Sequence, residues 1–252
     1  MVQKKQRLDQ VVFEKGLTAS RQRAKALIMA GKIYVNDHLA DKPGTTVVAN
    51  DIVALKGQDI PYVSRGGLKL EKALTAFDIH VDDLACLDVG ASTGGFTDCL
   101  LQHGARKVYA VDVGYGQFAW RLRNDPRVNL IERTNIRHLP LESIPSPVDL
   151  IVIDVSFISL KIVVPAILKF LKNGSMVIAL IKPQFEVGKG KVGKGGVVRD
   201  SLLHRTVIQD LSEFFENLNF TPQPAVPSPI KGPKGNLEFL VAMTYQEQKI
   251  RK

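Results

Sequence analysis

The sequence predicts an α/β chain in which a mostly parallel sheet, covered by helices on both faces, follows a small α+β domain. Three observations carry this. LACLDVG, KVYAVDVG, VNLIER, VDLIVIDVSF and SMVIALIKP are apolar runs of strand length separated by helical or turn-rich stretches. Strands buried on both faces read as continuous apolar runs, and their alternation with helices indicates parallel pairing. Residues 1–60 instead place two short amphipathic helices before short strands, and NLEFLVAMTY reads as a final strand running antiparallel at or near the sheet edge.

In chain order, QRLDQVVFEKG spaces Leu8, Val11 and Val12 for a helix that Gly16 stops. SRQRAKALIMAG offers Ser20 as N-cap, Ala24, Leu27 and Ile28 as the buried stripe, and Gly31 just past the end. Arg21, Arg23 and Lys25 fall largely away from that stripe. KIYVND and TTVVANDIVAL follow as short strands joined by Asn, Asp and Gly turns. The expected division is a small domain over 1–60, a linker over 61–67 and an α/β domain over 68–252. Within the last, SLLHRTVIQDLSEFFENL is a helix, and a Pro-rich connection leads to the final strand.

The balance of 34 Lys and Arg against 25 Asp and Glu leaves +9, which favours a polyanionic partner such as nucleic acid. A basic protein kept soluble by its charge has the same balance. Cys86 and Cys99 form no C-x-x-C pair, so neither a disulfide framework nor a zinc site is expected, and a reducing, cytoplasmic setting fits. No apolar run approaches the roughly 18–20 residues of a membrane helix, and MVQKKQRLDQ lacks the apolar core of a signal peptide.

LDVGASTGGF leaves a buried strand, turns through Gly90, Gly94 and Gly95, and enters a helix. Glycines let a ligand approach the backbone, or let strand and helix pack closely. The spacing is neither that of a phosphate-binding Walker loop nor that of a dinucleotide binder, which disfavours a nicotinamide oxidoreductase. Asp112 ends the next strand, about 20 residues downstream, where a carboxylate commonly accepts hydrogen bonds from ribose hydroxyls. Glycine turn and carboxylate together indicate a nucleoside cofactor.

Asp154 and Lys182 close two predicted parallel strands and so share the carboxyl edge, where open α/β sheets bind ligands. Glu238, near the start of an antiparallel strand, reaches the same edge, and Lys69 enters from SRGGLKL. Taken singly, these are also solvated strand ends, edge protection and a surface lysine. PQFEVGKGKVGKGGVVRD, with Lys189, Lys191, Lys194 and Arg199, is either a solvated loop or a segment that follows a phosphate backbone.

SRGGLKL, DVGASTGGFTDCLL, VDVGYGQ, VIDVSFIS and IKPQFEVG resemble, in order and over almost the whole chain, the motifs of the TlyA or haemolysin A family. That family is similar to FtsJ-like S-adenosylmethionine-dependent ribosomal RNA methyltransferases. The resemblance implies a Rossmann-like methyltransferase sheet, ribosomal RNA or ribosomal subunits as partners, and 2'-O-methylation of cytidine. It places a lysine, aspartate, lysine, glutamate set on Lys69, Asp154, Lys182 and Glu238. It also likens the N-terminal segment to the RNA-binding module of a ribosomal small-subunit protein and some pseudouridine synthases. Thr93 and Phe96 depart from the wider FtsJ-like pattern, where proline and tryptophan are common.

On this basis Gly90, Ser92, Gly94 and Gly95 are expected along the methionine and ribose side of S-adenosylmethionine, with Asp88 nearby and Asp112 on the ribose hydroxyls. Asn135 either touches the adenine or starts a helix. Lys182 would accept or steer the 2'-hydroxyl proton, oriented by Asp154, while Lys69 and Glu238 place the ribose. Arg21, Arg23, Lys25, Arg65, Lys189, Lys191 and Lys194 are the expected RNA contacts, and Gly66 with Gly67 a hinge. The alternatives are a non-catalytic RNA-binding or ribosome-assembly factor and a membrane-active haemolysin.

Overall fold

The computed structural model describes residues 5–18, 20–56, 60–188, 190, 192–193 and 195–247. The chain forms two compact units, divided between Ile60 and Pro61. The first contains β1 (Gln6–Arg7), α1 (Leu8–Glu14), α2 (Arg21–Met29), β2 (Ile33–Val35), β3 (His38–Leu39), β4 (Thr46–Val47) and β5 (Val53–Leu55). Leu8, Val12, Ala24, Ile28 and Ile33 form its fully buried centre. The Ser20 hydroxyl accepts the Arg23 N–H at 3.1 Å and so satisfies an otherwise orphan donor of α2. TTVVANDIVAL serves two sheets rather than one, because β4 pairs with β1 while β5 pairs with β2.

Asp9 is fully buried beside three cations, with Arg7 Nε at 3.0 Å, Arg21 Nε at 3.1 Å and Lys25 Nζ at 3.9 Å. Burial pushes its carboxyl up, but the hydrogen bonds from Arg7 and Arg21 outweigh burial and bring it down to about 2. A depressed carboxylate stabilises the fold above its unfolded value, roughly 3.9, and that contribution is lost as pH falls towards 2. Asp9→Asn is expected to cost about 2 kcal/mol at pH 7 and to remove this acid-side loss. Urea unfolding followed by a probe in the first unit, from pH 7 to pH 2, checks it; identical pH profiles for both proteins would refute it.

The second unit runs α3 (Gly66–Ala76), β6 (Ala85–Val89), α4 (Gly95–Gln102), β7 (Lys107–Val111), α5 (Trp120–Arg123), β8 (Val128–Ile131), β9 (Val148–Ile153) and α6 (Leu160–Ile167). It continues with β10 (Leu171–Ile181), α7 (Pro183–Glu186), α8 (Ser201–Glu216), β11 (Phe220–Pro222), β12 (Val226–Pro227) and β13 (Phe239–Tyr245). The sheet order is β11-β13-β10-β9-β6-β7-β8, with β12 also on β13. The five strands from β10 to β8 are parallel, and β13 is antiparallel to its neighbours. The final strand is therefore internal. The edge beyond it is made by β11 and β12, from the stretch expected as a connection; Pro222 and Pro227 are tolerated on an edge strand.

Why the strands read as unbroken apolar runs is plain from their two faces. Cys86, Leu150, Val152, Ile178 and Leu180 pack with Leu70 and Leu100 of α3 and α4. Their chain neighbours Leu87, Ile151, Ile153, Val177 and Ala179 pack with Val164, Leu211 and Phe215 of α6 and α8. Each fully buried Leu or Ile contributes roughly 1.5–3 kcal/mol.

Chain order reverses between β6 and β9, which places a crevice at their carboxyl ends. Val89 pairs with Ile153 there, and the Asp154 N–H donates to the Val89 carbonyl at 3.0 Å. The stretch 61–67, expected as a linker, is instead built into this unit. Tyr62 is buried, the Val63 N–H donates to Asp98 Oδ2 at 2.7 Å, and Gly66 and Gly67 form the first turn of α3. A β-carbon on Gly67 would lie 2.2 Å from the Tyr62 ring, so close packing, rather than a hinge, accounts for this glycine.

Candidate active site

Four charged side chains meet at the carboxyl edge because of strand direction. Asp154 follows β9 and Lys182 follows the parallel β10, while Glu238 precedes the antiparallel β13, whose Phe239 pairs with Ile181. Lys69 arrives from the first turns of α3. Its Nζ donates to Glu238 Oε2 at 2.6 Å and lies 3.8 Å from Asp154 Oδ2; Lys182 Nζ lies 2.6 Å from Asp154 Oδ1. Lys182 also donates to Ser156 Oγ at 3.0 Å. The charges alternate along the row, so each buried cation has an anionic partner, the condition under which buried charge is tolerated.

Glu238 Oε1 is buried with no hydrogen-bond partner among the described residues. A β-carbon on Gly232 would stand 2.0 Å from it, so Gly232 leaves the space that Glu238 occupies. Neither Gly232 nor Ser156 belongs to the set expected from sequence. Ser156 stood in view two residues after Asp154, but a serine in a loop carries no signal of its own.

Two cavities open on this edge. The first, about 440 Å³, is lined in part by Arg65, Lys69, Thr93, Lys231 and Gly232. The second, about 280 Å³, is lined in part by Asp112, Asn135, Ser156 and Phe157. Gly90, Ser92 and Asp154 border both. Asp112 is oriented by its own backbone surroundings, with Oδ2 accepting the Ser92 N–H at 2.7 Å and Oδ1 the Gly114 N–H at 2.6 Å. Each carboxylate oxygen retains a further lone pair for a hydroxyl donor. Asn135 lines the second cavity, and its Oδ1 accepts the Arg137 N–H at 3.1 Å at the start of a short 3₁₀ turn.

The glycine turn divides into two roles. Gly90 and Gly95 lie on cavity walls, whereas Gly94 faces Leu122 and Phe118, where a β-carbon would come within 2.6 and 3.0 Å. Asp88 borders neither cavity; it is fully buried beneath the turn and its Oδ2 accepts the Thr97 hydroxyl at 2.7 Å. Burial, opposed by that hydrogen bond and reinforced by the Asp154 charge, pushes its carboxyl up to about 7.

Phe157, unremarked in the sequence, is 90% exposed at φ +64°, with its ring 5.1 Å from that of Phe185. Among the expected RNA contacts, Arg65 borders the first cavity, while Arg21 and Lys25 of α2, the helix that also carries Arg23, lie beside Asp9 of α1. Lys189, Lys191 and Lys194 lie outside the described residues. The end of that glycine-rich stretch is anchored. Asn236 Nδ2 donates to the Gly196 carbonyl at 3.0 Å and its Oδ1 accepts the Val198 N–H at 3.1 Å.

A family model described as FtsJ-like methyltransferase matches residues 62–245, the whole of the sheet and all four charged residues. The chain belongs to the FtsJ-like methyltransferase family. A second model, the S4 domain, matches residues 6–53 of this FtsJ-like methyltransferase. The chain is 46% identical over 243 residues to the 16S/23S rRNA (cytidine-2'-O)-methyltransferase TlyA of Mycobacterium tuberculosis, covering 95% of this chain and 90% of that one. It is 45% identical over 238 residues to Hemolysin A of Brachyspira hyodysenteriae, covering 93% and 98%. A solved structure described under the name hemolysin, from Streptococcus thermophilus, superposes with a TM-score of 0.76 at 43% identity, covering 97% of this chain and 90% of that one. Among the described residues of this FtsJ-like methyltransferase, no helix is long and apolar enough to cross a membrane.

Proposed function

We propose that the protein transfers a methyl group from S-adenosylmethionine to the 2'-hydroxyl of a cytidine in ribosomal RNA, acting in the cytoplasm on ribosomal subunits or their RNA. The observation that carries this is the alternating row Glu238, Lys69, Asp154, Lys182 at the switch point of the sheet. The class of target is supported by the Mycobacterium tuberculosis relative, which is named for cytidine 2'-O-methylation of 16S and 23S rRNA.

The residues present suit the cofactor. Asp112, held by two backbone N–H groups on the wall of the second cavity, can accept from ribose hydroxyls, and Asn135 offers an amide on the same wall. Gly90, Ser92 and Gly95 would hold the remainder, and Asp88, buried below, would support the turn. When bound, S-adenosylmethionine supplies a methyl group activated by its sulfonium. The chain's part is alignment and proton handling. Lys182 Nζ, held between Asp154 and Ser156, steers the proton of the ribose 2'-hydroxyl as an ammonium, and accepts it only once it has itself given up a proton to solvent. Lys69 and Glu238 place that ribose and set the local field. The exposed Phe157 ring supports the reading by offering a face for an unstacked base, and the basic side chains of α2 would engage RNA elsewhere.

The test supplies S-adenosylmethionine with a labelled methyl group, unmodified ribosomal subunits and naked ribosomal RNA, followed by nucleoside mass spectrometry. The expected product is 2'-O-methylcytidine. A base-methylated product, or no transfer despite demonstrated cofactor binding, would overturn the reaction. Gly232→Ala would force the Glu238 carboxylate from its place beside Lys69 and is expected to lower kcat by about ten- to a hundredfold with cofactor affinity intact. Unchanged turnover in that variant would mean that the position of Glu238 does not matter.

A further inference from the structure

The wall of the first cavity carries a feature that the row of four does not use. Arg65 and Lys231 border the cavity and are exposed, and neither side chain makes an ion pair or hydrogen bond among the described residues. Elsewhere on this unit, Arg121, Arg123, Arg127 and Lys172 each have a carboxylate partner. Arg65 sits at the N-cap of α3, one helical turn before Lys69 and so on the same side of the helix. Lys231 is fixed from the other direction. It adjoins Gly232, against which Glu238 packs, and the Gly232 N–H donates to the Asn236 carbonyl at 2.9 Å.

We infer that Lys231, with Arg65 on the same cavity, binds a phosphodiester of the RNA next to the ribose being methylated. This rests on the RNA methylation reading above. A phosphodiester is a compact monoanion that two unpaired cations suit, as phosphate contacts position nucleic acid without reading its sequence. The other anion available is the cofactor's own carboxylate. That carboxylate is accompanied by an ammonium and a sulfonium, so the whole cofactor is cationic, and two further cations beside Lys69 would repel it. Phosphate is the better match. Because the wall bearing Lys231 is in contact with Glu238, holding the phosphate there fixes the neighbouring ribose relative to the row of four. Lys231 was not among the residues expected from sequence, where it is one lysine of many.

The experiment compares full-length wild type with Lys231→Gln and Lys231→Arg, using a ribosomal RNA fragment that the wild type binds. Expected for Lys231→Gln are a severalfold weaker RNA Kd, a salt dependence of log Kd shallower by about 1, and a raised KM for RNA. Lys231→Arg restores binding, and cofactor affinity, measured by equilibrium dialysis, is the same in all three. Unchanged RNA affinity and salt slope in Lys231→Gln would overturn the inference. So would weakened cofactor binding with RNA binding intact, which would assign the cation to the cofactor carboxylate. If the wild type binds RNA but methylates no ribose, the proposed reaction fails while the binding comparison still decides this site.

Discussion

Lys182→Ala is expected to lower kcat by about 10²- to 10⁴-fold, the usual contribution of a positioned acid or base, while leaving the affinities for cofactor and RNA near wild type. The reason lies in its neighbours. Lys182 is the end of the charged row that also reaches Ser156 on the wall of the second cavity, whereas Lys69 lies inside the row, between Glu238 and Asp154. Removing Lys182 leaves Asp154 with Lys69 at 3.8 Å, so the carboxylate is not stranded and the fold should survive. Lys182→Arg should not rescue turnover, because a guanidinium keeps its proton and is planar where an ammonium is compact. Single-turnover methyl transfer, with separate cofactor and RNA binding, makes the measurement. Full transfer in Lys182→Ala would sink its role.

The second large effect is expected at Gly90→Ala, and it is one of stability as well as activity. Gly90 has φ +87°, and a β-carbon there would lie 2.5 Å from the Asp154 carbonyl oxygen and 3.0 Å from its carbonyl carbon. The left-handed conformation costs an L-residue roughly 1–2 kcal/mol, and overpacking adds about 1–3 kcal/mol. Neither obstacle can swing aside, since both belong to the backbone that holds Asp154 at the end of β9. Gly116 is the control, with φ +74° and nothing within 4 Å of its would-be β-carbon. Gly116→Ala should lose only the conformational part. Equal denaturation midpoints for the two variants would show that the packing between the turn and Asp154 contributes nothing.

Three of the four charged residues were legible in the sequence because strand direction brings them to one edge, and Lys69, on α3, joined them through the family resemblance. The parallel β9 and β10 deliver Asp154 and Lys182, and an antiparallel β13 delivers Glu238. What escaped depends on the paths of loops. Ser156, Phe157, Lys231 and Gly232 acquire their places only when the segments after β9 and before β13 are folded, and no periodicity describes such segments. The same limit applies to the glycines, whose presence signals close approach without saying of what. Gly94 makes room for Leu122 and Phe118, and Gly67 for Tyr62, so packing explains positions that ligand approach or flexibility also fitted. β11 and β12 were hidden by the prolines of TPQPAVP, which disfavour a central strand yet are acceptable on an edge.

The placement of β13 between β10 and β11 bears on how the chain acquires its site during synthesis. β11 is made earlier, but its partner is β13, as is one side of β10, so both wait with open hydrogen-bonding edges. The Lys69–Glu238 contact spans 169 positions and cannot form until the last strand has left the ribosome and inserted. A nascent chain carries the glycine turn, Asp154 and Lys182 well before it carries Glu238. Under the proposed chemistry, the row of four is therefore completed by a single event, the pairing of β13 with β10.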